Sequence, residues 1–78
     1  FKWYKKSAEQ GNVTAQYNVG CCYENGIGVE RDEVEAFKWY MKSAEQGYTI
    51  AKKNVIRCYE NGIGVTKNLL QASLWDYK

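Results

Sequence analysis

Three cysteines, Cys21, Cys22 and Cys58, are the strongest nucleophiles in a 78-residue chain that has no histidine and no proline. Without histidine the commonest general base and metal ligand is missing. The cysteine spacing matches no zinc-binding pattern. Carboxylates recur in pairs, Glu9 with Glu45 and Glu24 with Glu60. Acid–base work needs such a pair in an asymmetric pocket, and nothing in the sequence signals one. Gly26-x-Gly28 lacks the strand and spacing of a nucleotide fingerprint. The expectation is a non-catalytic chain with no cofactor, metal or small-molecule substrate.

Two further groups bear on binding. Lys53 and Arg57 are four residues apart and share a helix face, with Lys52 beside them. Such a spot attracts an acidic peptide or a C-terminal carboxylate, which Arg57 can grip with two donors. The plainer reading is a solvated charged face. With a net charge of only +2, contact with nucleic acid is disfavoured. Trp3, Trp39 and Trp75, with Tyr4 and Tyr40, could stack on bases or sugars. Their regular spacing reads instead as core packing.

That spacing organises the whole chain. Cys22 to Val29 returns unchanged at Cys58 to Val65, 36 residues later. Phe1-Lys2-Trp3-Tyr4 reappears as Phe37-Lys38-Trp39-Tyr40, and Lys6 to Gly11 as Lys42 to Gly47. At this offset 24 of the 42 comparable positions are identical, so the chain is a repeat array of stacked supersecondary units. The division expected is a trailing helix of one unit over 1–11, a complete unit over 12–47 and a divergent, truncated unit over 48–78. Two periods, and a first residue inside a repeated block, suggest a segment of a longer array. No apolar run approaches the ~20 residues needed to span a bilayer.

Each unit reads as two helices. Gly11 and Gly47 end one of them, and Asn25-Gly26 and Asn61-Gly62 end the other. Asp32 with Glu35 resembles a capping box, and Asn68 with Gln71 repeats it in neutral form. Ile27-Gly28-Val29 forms a tight connector whose branched residues are expected to plug the core. On the helix from Asn12, the positions that differ between units (13, 14, 16, 17, 20 and 21) fall within an arc of about 160°. Identical Ala15, Asn18, Val19, Cys22 and Tyr23 occupy the opposite arc, the expected buried face. The varying arc is expected to be free. Cys22 and Cys58 hold the same place on neighbouring units, beyond disulfide reach at the usual helix separation of ~8–10 Å. Free thiols suit a reducing, cytoplasmic compartment without fixing it.

Ala15-x-x-x-Val19-Gly20-x-x-Tyr23-x-x-Gly26-x-Gly28-Val29-x-x-Asp32, followed by Ala36-x-x-Trp39-Tyr40-x-Lys42-Ser43-Ala44-x-x-Gly47, resembles the Sel1-like repeat, a relative of the tetratricopeptide repeat. The resemblance covers essentially the whole chain. It implies an all-α fold, an α/α superhelix of antiparallel helix pairs. It also implies a scaffold for protein–protein interaction, met in signalling, degradation or cell-wall assemblies. By position, the first helix of each pair would line a concave groove. The lining would be Thr14, Tyr17, Asn18, Cys21 and Asn25 from one unit, and Ile50, Lys53, Asn54, Arg57 and Asn61 from the next. Asn18 and Asn54 would bond a peptide backbone through both amide groups, or else hold the stack together. The second unit departs from the pattern: Gly20, Phe37, Lys38 and Tyr40 give way to Ile56, Ser73, Leu74 and Asp76. This drift marks an array end or a contact surface. A purely structural role, with apolar ends stacking on other copies, is the rival expectation.

Overall fold

The computed structural model describes all 78 residues and contains five helices and no strand. They are α1 (Lys2–Glu9), α2 (Val13–Asn25), α3 (Glu33–Glu45), α4 (Thr49–Asn61) and α5 (Leu69–Asp76). Each packs on its neighbour in sequence, as short connections between antiparallel helices require. The result is a thin all-α solenoid of 35 × 24 × 13 Å.

The caps explain where the helices begin and end. Asn12 Oδ1 accepts from Ala15 N at 2.9 Å, and Asp32 Oδ1 from Val34 N and Glu35 N at 3.1 Å. Asn68 Oδ1 accepts from Gln71 N at 3.0 Å. The Glu35 carboxylate does not complete a capping box; it pairs with Lys38 one turn on, at 3.5 Å. Gly62 closes α4 with φ +69° and donates to Cys58 O, a backbone geometry that favours glycine. Asn68 N then donates to Tyr59 O at 2.8 Å, and Asp32 N to Tyr23 O in the same way.

The core is one pattern used twice. Trp39 packs on Ala8, Ala15 and Val19, and Trp75 packs on Ala44, Ala51 and Val55 at the same offset. Small residues let the helices approach, and the indole fills the space between three of them. Lys42 and Lys78 lie over the two rings at 4.4 and 4.2 Å, a favourable cation–π placement. Tyr23 and Tyr59 meet Phe1 and Phe37 edge-on at 5.4 and 5.3 Å. Buried Ser43 donates to Val13 O at 2.8 Å, fixing α3 against the start of α2.

Three expectations are corrected. Trp3 is not core: it is 80% exposed, because the positions that cover Trp39 correspond, for Trp3, to positions before Phe1. Ile27 is likewise exposed and plugs nothing, whereas Ile63 and Val65 pack against the core. Nor is the varying arc of α2 free. Gln16 is buried and bridges α1 and α3, donating to Ala8 O at 3.2 Å and accepting from Gln46 Nε2 at 2.8 Å. Gly20 is buried under Tyr40: a Cβ there would lie 2.7 Å from the ring. In the second unit both partners change together, to Ile56 and Asp76. These positions vary because their contacts vary.

Candidate functional site

The first helices of the two units, α2 and α4, lie side by side with one polar cluster joining them. Arg57 of α4 donates through Nη2 to Glu24 Oε1 of α2 at 2.7 Å. The Tyr40 hydroxyl of α3 donates to the same oxygen at 2.7 Å, with Cys21 Sγ 3.5 Å away. Arg57 Nη2 also lies 3.4 Å from Asn54 Oδ1. The Arg57 guanidinium, and after it the Tyr40 hydroxyl, hold the Glu24 carboxyl below the usual carboxylate range, against the opposing pull of burial. Burial, aided by Cys21 and Glu24, pushes the Tyr40 phenol far above its ordinary value. Tyr40 therefore acts as a fixed neutral donor.

The predicted groove residues fall into three groups. Thr14, Ile50 and Lys53 are exposed, and Lys53 makes no ion pair. Tyr17, Asn18, Cys21, Asn54 and Arg57 are half-buried. The Tyr17 ring leans on Tyr40 at 5.8 Å and Tyr48 at 5.6 Å. Its phenol is pushed up, chiefly by hydrogen bonding with Cys21 and then by burial. Asn25 and Asn61 are exposed, but their amides turn back on their own helices, donating to Cys21 O and Arg57 O at 3.0 Å. The structure thus brings Tyr17, Cys21, Asn54 and Arg57 together, and leaves Asn25 and Asn61 engaged at helix ends.

The basic pair is not two free cations. Arg57 is matched by Glu24, with side-chain exposures of 40% and 15%, so of the pair only Lys53 offers an unmatched charge, with half-buried Lys52, also unpaired, beside it. Sequence reasoning missed Glu24, Tyr40 and Tyr48 as neighbours of this face. A signal existed: Cys21, in a unit with Gly20 and Tyr40, is replaced by Arg57 where these become Ile56 and Asp76. Cys58 is walled in, and burial pushes its thiol up to about 11, which removes it as a nucleophile. All three thiols are free. No group of three His, Cys, Asp or Glu side chains is placed to hold a metal. No helix is long and apolar enough to cross a membrane. The larger surface hollows lie away from this face, one of about 840 Å³ along Phe1, Trp3, Lys5 and Gly28 and one of about 630 Å³ at Arg31, Glu33 and Gly64.

Helix pairs at a 36-residue period, joined by inter-unit side-chain bonds, define an α-solenoid repeat protein. Residues 1–12, 13–48 and 57–75 match the Sel1 repeat, and the chain belongs to that family. It superposes on a Sel1 repeat protein from Oxalobacter formigenes with a TM-score of 0.91 and 44% identity, covering 95% of this chain and 30% of that one. It matches c5321, a protective antigen of uropathogenic Escherichia coli with an SLR fold, equally well in structure: TM-score 0.91, 39% identity, 95% of this chain and 16% of that one. Among curated proteins, DAP3-binding cell death enhancer 1 of rat and of mouse is 50% identical over 32 residues. Those residues are 41% of this chain, which spans only 6% of those relatives' length.

Proposed function

We propose that the chain is a non-catalytic protein-interaction scaffold, which receives partner proteins or peptides on the face formed by α2 and α4. The observation that carries this reading is the side-by-side placement of the two first helices. The Glu24–Arg57 bond and the Tyr17–Tyr48 contact tie them together, while Thr14, Ile50 and Lys53 stay open to solvent. A rigid pair of helices presents side chains without an ordering cost on binding. Membership of the Sel1 family supports the reading, as does a relative named for binding another protein. Lys53 favours an acidic segment, with the Asn18 and Asn54 amides bonding its backbone.

The test is fluorescence anisotropy with a labelled Asp/Glu-rich peptide library. Lys53→Glu is expected to weaken binding about 3–10-fold, with a salt dependence that flattens. An unchanged affinity would remove Lys53 from the site. Exposure of Trp3 and Ile27 favours a second reading, in which the chain is an array element stacking end to end.

A further inference from the structure

We propose that Glu24 sets the specificity of the α2–α4 face: it is an internal carboxylate that holds Arg57 in the free chain, and a partner gains Arg57 only by displacing it. The partner able to do so is a segment carrying several carboxylates, anchored first by Lys53. This rests on the acidic-partner reading of the same face and deepens it.

A guanidinium grips a carboxylate with two parallel donors along one of two edges, Nη1 with Nη2 or Nε with Nη2. Nη2 belongs to both. In this chain Nη2 is the nitrogen already engaged: it donates to Glu24 Oε1 at 2.7 Å and lies 3.4 Å from Asn54 Oδ1. The side chain is nonetheless 40% exposed, and its internal hydrogen bonds all run through that one nitrogen. A partner's carboxylate meeting Arg57 as it stands therefore finds single donors only. The two-donor grip becomes available when Nη2 leaves Glu24.

Glu24 is placed to let go. Its Oε1 also accepts from the Tyr40 hydroxyl at 2.7 Å, so the carboxylate keeps a donor when Arg57 turns away and is not left as a stranded buried charge. The two first helices stay joined through the Tyr17–Tyr48 contact. Exposed Lys53 and Arg57 are four residues apart on one helix face, so a segment held by Lys53 carries its next carboxylate to the guanidinium. An isolated carboxylate offers only what Glu24 already supplies. A second carboxylate on a tethered segment competes at a high effective concentration, and the exchange then favours the partner. Glu60, at the equivalent place on α4, is exposed and without an ion-pair partner. It carries the same charge three residues from Arg57 without holding it.

Fluorescence anisotropy of the 78-residue chain with a labelled poly-glutamate peptide tests this. Glu24→Gln should tighten binding about 3–10-fold, the gain expected if Arg57 is free in about a tenth to a third of the molecules. Glu24→Asp keeps the charge but shortens the reach, and should also tighten binding. Glu60→Gln removes an equal charge and should move the affinity less than about twofold. The gain should vanish in the double variant Glu24→Gln/Arg57→Gln, and with a labelled neutral peptide bearing a single glutamate. The urea midpoint of Glu24→Gln should fall, so that affinity and stability move in opposite directions, as a purely structural role would not produce. Binding that depends on Lys53 but is weakened or unmoved by both Glu24 substitutions overturns the role of Glu24 and leaves the acidic-partner reading standing. So does a Glu60→Gln gain as large as that of Glu24→Gln. Binding indifferent to Lys53→Glu, or no binding by any form, overturns that reading and this inference with it.

Discussion

Glu24 accepts two hydrogen bonds on one oxygen, from Arg57 and from Tyr40, and so joins three helices through one atom. Its carboxyl titrates below the usual range because the charged form is the bonded one. A depressed carboxylate contributes stability that is present above the unfolded-state value, near 4.3, and is lost as pH falls through the lower folded-state value. Glu24→Gln should therefore cost about 1 kcal/mol at pH 7, the Arg57 side being part-exposed. The difference from wild type should shrink steadily below about pH 4.3. Urea denaturation across a pH series reads this directly; a constant difference would contradict it. At Gly20 the limit is space, since a Cβ there meets the Tyr40 ring and lies 3.2 Å from Ala36 O. Gly20→Ala is expected to destabilise by about 1–3 kcal/mol, measured by the same denaturation midpoint.

At the scale of helices, the two units solve the same problem with different chemistry. Asn12 caps α2 through its side chain, whereas the equivalent Tyr48 makes no capping bond and spends its ring on Tyr17 instead. The start of α4 therefore depends on packing where the start of α2 depends on a cap. Asp32→Ala should lower stability by about 1 kcal/mol, because two N–H groups of α3 lose their acceptor. Glu35, turned to Lys38, does not replace it. Thermal unfolding of this variant beside Asn68→Ala would show whether the inner helix is the more sensitive. α5 buries only Ala72 and Trp75 and is expected to exchange its amide hydrogens faster than α2, α3 and α4.

Across the whole molecule, two indoles carry the packing and one does not. Trp39→Ala should cost about 3–5 kcal/mol and unfold the chain, while Trp3→Ala should cost under about 0.5 kcal/mol. Circular dichroism on both variants distinguishes them. The period made the fold legible, because identical Ala8/Ala44, Ala15/Ala51, Val19/Val55 and Trp39/Trp75 are the residues that meet in the two cores. Trp3 misled because identity reports the role a residue has inside an array, and not whether its neighbour is there. The face proposed for recognition was drawn from position along α2 and α4, and the bonds inside it were not legible in the sequence. Glu24 is identical to Glu60 and looked inert, and only packing of one unit on the next gives it a guanidinium. Gln16 and Gly20 read as free for the same reason.

The connectors differ in how tightly they are held, and this decides where the chain can be cut or lengthened. A Cβ at Gly64 would collide with the Glu33 carbonyl, so the second connector is seated on the preceding unit and sets the pitch between them. At Gly11 and Gly47 nothing lies within 4 Å of such an atom. Those two turns are the natural ports for an inserted epitope, tag or protease site, and a graft there leaves the spacing of the helices intact.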